Sequence, residues 1–407
     1  MAAVLFRATG GQDCDPTELT QSEEAFLAAA PVAERRQMQA ALASVRKAPS
    51  SGVPRRMRVL QSRLPPDVKS DAFHQLATAR DPKYTEWVDA ALRLPLGVHA
   101  PAPALKSVPA LLKRAARVMD REIVGHADAK RAVVRVLSDW AHGRSGAGFA
   151  LGLEGQPGIG KTSFAKHALA KAVDRPFCFV GLGGALDVSV LLGHSYTYEG
   201  AVHGRLAECL IASGTMDPII FFDELDKISN TAKGDELVHA LIHLTDTVQN
   251  GHIVDKYFGT IPLDLSRAML VFSYNDARRV HPVLLDRLRR IRMAAPTADE
   301  KRSICTSHLI PRAVGRYAGS DPIDVDNEVI SLLLRRHDKT CGMRGIEQDI
   351  DLLVSSARLI KTCADGSILG IEAGSTARLD LALAEGLLAA TDRACDATAA
   401  PPLGMYT

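Results

Sequence analysis

Residues 151–163 read LGLEGQPGIGKTS, and this stretch decides the kind of sheet the chain must build. Gly155 to Thr162 complete the spacing G-x-x-x-x-G-K-T. An apolar run, FALGLEG, leads into it, and a segment with helical spacing, KTSFAKHALAKAV, leads out. A strand that turns through glycines into a helix points backbone N–H groups inward, and the helix N-terminus adds partial positive charge. Such a turn holds an anion. Gly155, Pro157, Gly158, Ile159 and Gly160 are expected to form the cradle; Lys161 reaches the outer phosphates of a nucleotide, and the Thr162 hydroxyl, followed by Ser163, is a Mg²⁺ ligand.

Working outward, three more apolar runs alternate with amphipathic helical segments between about 120 and 296: PFCFVGL, PIIFFDE and AMLVFSYN. Continuous apolar strands separated by helices predict an α/β fold, a mostly parallel sheet covered on both faces. The second run ends on two acids. In PIIFFDELDK, four apolar residues deliver Asp223 and Glu224 to a strand's C-terminal end, where Asp223 would hold magnesium and Glu224 would polarise an attacking water. AMLVFSYN ends on Asn275, suited to orient that water, while Arg287 in LLDRLRRIR and Arg344 in CGMRGIEQ are candidate cations for developing phosphoryl charge. A phosphate loop alone leaves a kinase, a GTPase, a small-molecule binder and a motor all open.

Composition narrows the class. Of 407 residues, 46% are hydrophobic and 24% charged, a globular balance, and the length exceeds one ordinary core. A formal net charge of +2 gives no general attraction to nucleic acid. The seven cysteines form no C-x-x-C pair, so neither a disulfide framework nor a zinc ribbon is expected, and a reducing, cytoplasmic setting fits. No run reaches the length of a membrane span, and no secretory leader is read at the start.

Residues 17–47 and 71–94 have helical periodicity, separated by a breaker-rich stretch, KAPSSGVPRRMRVLQSRLPPDVK, expected to be a loop. Its basic residues lack interleaved aromatics and are read as a solvated face, not a nucleic-acid platform. A second breaker cluster, LPLGVHAPAPALKSVP, reads as a linker. Beyond 297, helices are expected to start near Thr297, Asn327 and Gly345. The pair of histidines in HALIH, 239–243, lacks the glutamate of a zinc-protease helix and is read as packing. The expected organisation is an N-terminal helical region and linker over 1–100, a nucleotide-binding α/β domain over 101–296, an α-helical lid over 297–385 and a tail over 386–407.

The ordered set of motifs resembles the AAA+ ATPase module of the Lon proteases from about 85 to 365. GQPGIGKTS is similar to its Walker A loop, IIFFDELDK to its Walker B strand and VFSYND to its sensor 1. VHPVLLDRLRRI resembles its arginine-finger segment, CGMRGIEQDI its sensor 2 helix start, and LGGALDVSVLLGHSYTYEGAVHGRL its pore-loop region. The resemblance implies that the module binds and hydrolyses ATP with Mg²⁺ through Lys161, Thr162, Asp223 and Glu224, with Asn275 as sensor 1. It further implies that Arg287 reaches a neighbouring subunit of a ring, six in this family, that Arg344 senses the γ-phosphate, and that Ile123, Val124 and Gly125 pack on adenine.

Two departures stand out. The short stretch after 385 has no room for the Ser-Lys peptidase domain that follows the lid in Lon. In the pore loop Tyr198 is followed by Glu199, where the family places an aliphatic residue. Residues 1–85 match no part of the substrate-recognition domain. The expected function is an ATPase ring that remodels or translocates a protein substrate without peptidase activity of its own, for which a separate peptidase is a conceivable partner. The alternative is an ATP-gated scaffold whose nucleotide state controls partner binding; a nucleic-acid motor rests only on the basic segment. No membrane partner is expected.

Overall fold

The computed structural model describes residues 53–399 apart from 79–81, 102–106, 143–147, 185–186, 199, 318–322, 339–340 and 364–377, and a few positions between 26 and 38. The helix expected over 17–47 lies almost wholly outside the described residues. The chain divides into two units, Met1–Arg80 and Asp81–Thr407.

In the first unit, α1 (Arg55–Gln61) and the first turn of α2 (Pro66–Thr78) occupy the stretch expected to be a loop, while the rest of α2 lies where helical periodicity was expected. The prolines there start helices instead of breaking them. Pro54 is the N-cap of α1 and Pro66 opens α2, positions whose N–H has no intrahelical partner to lose. Arg56, one of the basic residues, lies with its guanidinium 3.9 Å from the Phe73 ring centroid and donates from Nε to the Phe73 carbonyl at 3.1 Å. It serves packing between the two helices.

The second unit opens with α3 (Pro82–Ala91), where Trp87 donates from its indole to the Tyr257 carbonyl at 2.8 Å and stacks on Tyr84. Then come α4 (Val108–Glu122) and α5 (Ala127–His142). The sheet strands are β1 (Ala150–Glu154), β2 (Phe177–Gly181), β3 (Ile219–Asp223), β6 (Met269–Tyr274) and β7 (Arg289–Arg292). Their order is β2-β3-β6-β1-β7 and every pairing is parallel. Central strands of such a sheet are covered on both faces. Accordingly Ile219, Ile220, Phe221 and Phe222 of β3 are all 0% exposed. Phe222 stacks on Phe272 of β6 with ring centroids 4.8 Å apart. Burying each such side chain is worth about 1.5–3 kcal/mol, so β3 and β6 are a rigid base for whatever their ends carry.

One strand was not legible as such. β7 reads RRIR, and only Ile291 is buried, its arginines facing solvent while the backbone pairs with β1 from Leu151↔Arg289 to Glu154↔Arg292. Between the strands lie α6, in three consecutive segments (Lys161–Ser163, the π-helical Phe164–Leu169, and Ala170–Val173), α7 (Ser189–Leu192), α8 (Arg205–Ser213), α9 (Ala232–Thr245) and α10 (Pro282–Arg287). A two-residue antiparallel pair, β4 (Ile253–Val254) with β5 (Pro262–Leu263), follows α9.

The lid is a second core. It comprises α11 (Ala298–Ile304, Cys305–Leu309 and Ile310–Tyr317), α12 (Asn327–Arg336), α13 (Arg344–Cys363), α14 (Leu381–Ala399) and the short parallel pair β8 (Asp324–Val325) and β9 (Arg378–Leu379). Ile346, Ile350, Leu353, Val354 and Ala357 of α13 form its centre, joined by Ala384, Leu387 and Leu388 of α14. Among the described residues no helix is long and apolar enough to cross a membrane.

Candidate nucleotide site

Because β3, β6 and β1 are neighbours in one parallel sheet, their C-terminal ends open on the same edge about 4.8 Å apart. There the chain places Asp223 and Glu224, then Asn275, then the glycine loop. In open parallel sheets ligands bind at this edge, where the strand order reverses. Here the reversal lies at β1, whose successor β2 crosses to one edge while β7 pairs on β1's other side.

The loop is held by its lysine. Lys161 donates from Nζ to the Gly155 carbonyl at 2.6 Å, to the Gln156 carbonyl at 3.0 Å and to Asn275 Oδ1 at 2.7 Å. Burial lowers its pKa, while Asp223, Asp226 and Glu224 oppose that shift. Gly160 has φ 97° and is the N-cap of α6, a left-handed conformation that a side chain resists. The first turn of α6 starts at the cleft, which Lys161, Thr162 and Ser163 line.

Asp223 is positioned by Ser273, whose hydroxyl donates to its carboxylate. Glu224 has φ 60°, a strained value for a non-glycine residue. Its N–H is 3.1 Å from Asp223 Oδ1, and its carboxylate stands over Gly183, where an added Cβ would be 1.9 Å from Oε2. The sequence reading missed Ser273, although a hydroxyl inside the buried strand MLVFSY was the available signal. It also missed Asp226, a buried acid whose Oδ2 accepts from the Asp276 N–H at 3.4 Å.

The lid closes one side. The Met343 N–H donates to the Gly158 carbonyl at 2.9 Å, and a Cβ on Gly342 would be 2.6 Å from the Pro157 carbonyl oxygen. Only a glycine allows that approach, and it brings Arg344, at the start of α13, beside the loop. Pro157, Gly158, Gly160, Lys161, Thr162, Ser163, Asp223, Glu224, Ser273, Asn275, Arg344 and Glu347 line one polar cavity of about 300 Å³.

A more apolar cavity of about 420 Å³ shares Gly158, Gly160, Ser163 and Glu347 with it and is walled by Ile123, Val124, Ile159, Leu309 and Met343. Gly125 is one residue behind this wall, at φ 74°, against the Glu300 carboxylate. His126 bonds from Nε2 to the Ile159 carbonyl at 3.0 Å, and burial lowers its pKa. A polar cavity with a lysine, a helix N-terminus and the carboxylates of Asp223, Glu224 and Glu347, adjoining a more apolar one, has the chemistry to take a nucleoside triphosphate with a divalent cation. Thr162 and Asp223 are the residues present that suit Mg²⁺; among the described residues there is no cluster of three or more His, Cys, Asp or Glu set to hold a metal by itself.

Arg287 is not brought to this cleft. It closes α10 with its Nη1 3.1 Å from Asp246 Oδ2. Tyr198 is 67% exposed on the loop between α7 and α8, and Glu199 lies outside the described residues. His239 and His243, expected to pack, are both exposed on α9, because the buried stripe of that helix is Leu237, Leu241 and Leu244.

Residues 151–295 match the family described as ATPase family associated with various cellular activities (AAA). The chain is 31% identical over 245 residues to a Lon protease homolog of Acanthamoeba polyphaga mimivirus, covering 60% of this chain and 24% of that protein. It is 32% identical over 275 residues to the Lon protease of Wolbachia pipientis, covering 67% and 32%, and 28% identical over 319 residues to that of Dictyoglomus thermophilum, covering 77% and 39%. The chain thus spans well under half the length of these relatives.

Proposed function

We propose that this chain, which carries an AAA ATPase module of the Lon kind, hydrolyses ATP within a homo-oligomeric ring and uses the cycle to remodel or translocate a protein substrate. One observation carries the reading. Lys161, Thr162, Asp223, Glu224, Asn275 and Arg344 line a single polar cavity, whereas Arg287 is turned to Asp246 outside it. A site with every hydrolytic group but one, in a chain that presents the missing kind of group elsewhere, is suited to completion by a second copy.

In this mechanism the loop amides and Lys161 grip the β- and γ-phosphates. Thr162 and Asp223 would hold Mg²⁺, which when bound would supply positive charge at the phosphate oxygens. Glu224 takes the proton of the attacking water, which Asn275 orients, and Arg344 carries the nucleotide state to the lid. The adjoining subunit's Arg287 faces the developing charge; such fingers are worth about 10³ to 10⁵ in turnover in other phosphoryl-transfer enzymes. Exposed Tyr198 is the residue proposed to press on substrate.

The test measures ATP turnover per subunit against protein concentration, alongside unfolding of a tagged fluorescent substrate. Turnover that rises with assembly and drives unfolding supports the proposal; brisk turnover by isolated subunits refutes the ring. The charge of Glu199 beside Tyr198 favours a second reading, an ATP-gated scaffold. In that case partner binding follows nucleotide state while no substrate stimulates turnover.

A further inference from the structure

The contact that Arg287 makes outside its own cleft rests on a carboxylate that is itself held in place. Asp246 is the C-cap of α9, directly after the last helical residue. Its two carboxylate oxygens are used differently. Oδ1 accepts the Val248 N–H at 2.9 Å, which folds the turn after the helix and fixes the side chain, and Oδ2 faces Arg287 Nη1 at 3.1 Å. The backbone bond from Val248, aided by Arg287, holds this carboxyl below the usual carboxylate range.

On the other side, α10 is six residues long and runs through Leu288 straight into β7, so the backbone of Arg287 is set by the sheet. Only its side chain is free to choose a direction. That side chain is 34% exposed and Asp246 19%. An arginine aimed in advance by a fixed carboxylate gives up less rotamer freedom when it engages phosphate.

We infer that Asp246 is a positioning residue for the finger: it orients the Arg287 guanidinium for presentation to the adjoining subunit's nucleotide. The inference rests on the reading of Arg287 as that finger. Asp246 lines neither of the two cavities described above and caps the helix that starts downstream of the chain's own Asp223 and Glu224.

Asp246→Asn separates the two uses of the carboxylate, because an asparagine Oδ1 still accepts the Val248 N–H while the charge facing Arg287 is gone. In the full chain, ATP turnover by Asp246→Asn should fall on the order of tenfold, the scale of a small misplacement of a catalytic group. Affinity for a fluorescent ATP analogue should stay as in the wild type. Turnover should return when excess Glu224→Gln subunits are added, since these offer whole fingers to the intact Asp246→Asn sites. Asp246→Glu, which keeps the charge on a longer arm, should retain more turnover than Asp246→Asn.

Wild-type turnover in Asp246→Asn beside an impaired Arg287→Ala overturns the inference and leaves the finger standing. A loss that Glu224→Gln subunits do not repair, or an Asp246→Glu no better than Asp246→Asn, overturns it as well. Wild-type turnover in Arg287→Ala removes the finger and, with it, this inference.

Discussion

The floor of the cleft and the edge at Arg287 are built on opposite plans. On the floor, Lys161 is fixed by two carbonyls and Asn275, and Asp223 by Ser273, beside strands whose side chains are buried. At the edge, one arginine leaves a short helix and meets one carboxylate, with a third of its surface in solvent. A group that acts within its own chain can be locked during folding, whereas one that acts on a neighbour must stay reachable. On the proposed reading, the difference separates the chemistry a chain would complete alone from the part it would take from a neighbour.

The most direct way to break that contrast is Arg287→Ala. If the edge serves another subunit, turnover should drop by about 10³, with ATP affinity retained, and added Glu224→Gln subunits should restore it. Steady-state ATPase assays of single and mixed proteins check this. An Arg287→Ala protein that hydrolyses ATP normally would make the edge ordinary surface. Comparable in size is Glu224→Gln, which acts on the floor: a loss of about 10² to 10⁴ is expected, with ATP still bound and the assembled form trapped. Sizing the protein with ATP shows whether it is.

How far the sequence foretold this contrast follows the same division. The floor was legible because a phosphate needs glycines, a lysine and a hydroxyl at fixed spacing, and a buried strand must be apolar up to the acids it delivers. FALGLEG, IIFF and AMLVFSYN gave three strands and their ends. β7 was not legible, since RRIR carries three charges and becomes a strand only because β1 has an open edge beside it. The helix after Pro54 and the first turn of the one after Pro65 were hidden by counting prolines as breakers without asking whether they stood at helix starts. Asp246 was invisible because it matters only through Arg287, a partner distant in sequence that spacing does not encode, whereas Ser273 left one signal, a hydroxyl inside an apolar strand, without revealing that Asp223 is its partner.

Gly342 sharpens the comparison from the lid. A methyl there would meet the Pro157 carbonyl oxygen at 2.6 Å and the Gly158 backbone at 3.1 Å, and neither is a side chain that can swing away. Gly342→Ala should cost about 1–3 kcal/mol of stability and push Arg344 off the loop, lowering turnover about tenfold. Differential scanning calorimetry and ATPase assays of the same preparation read both effects. A variant as stable and as active as the wild type would mean that the lid does not depend on this close approach.

The smallest effect expected concerns His126, and it tests whether the floor is locked even where no chemistry occurs. The ring bonds to the Ile159 carbonyl inside the loop, and burial disfavours its charged form, so its pKa in the folded chain lies below the ordinary value of 6.5. The unfolded chain therefore takes up this proton first as the pH falls. The stability that His126 contributes is whole above about pH 6.5 and is lost as the pH drops from there through the lower folded value. Asparagine tolerates the left-handed backbone that His126 adopts at φ 54° and carries no titrating group. Between pH 7.5 and 5.5 the Tm of the wild type should fall by about 1–3 °C more than that of His126→Asn, as read by thermal melts in matched buffers. Parallel Tm curves for the two proteins would mean that the imidazole is as free to protonate in the fold as in water, and the loop beneath the nucleotide would then be softer than the strands that carry it.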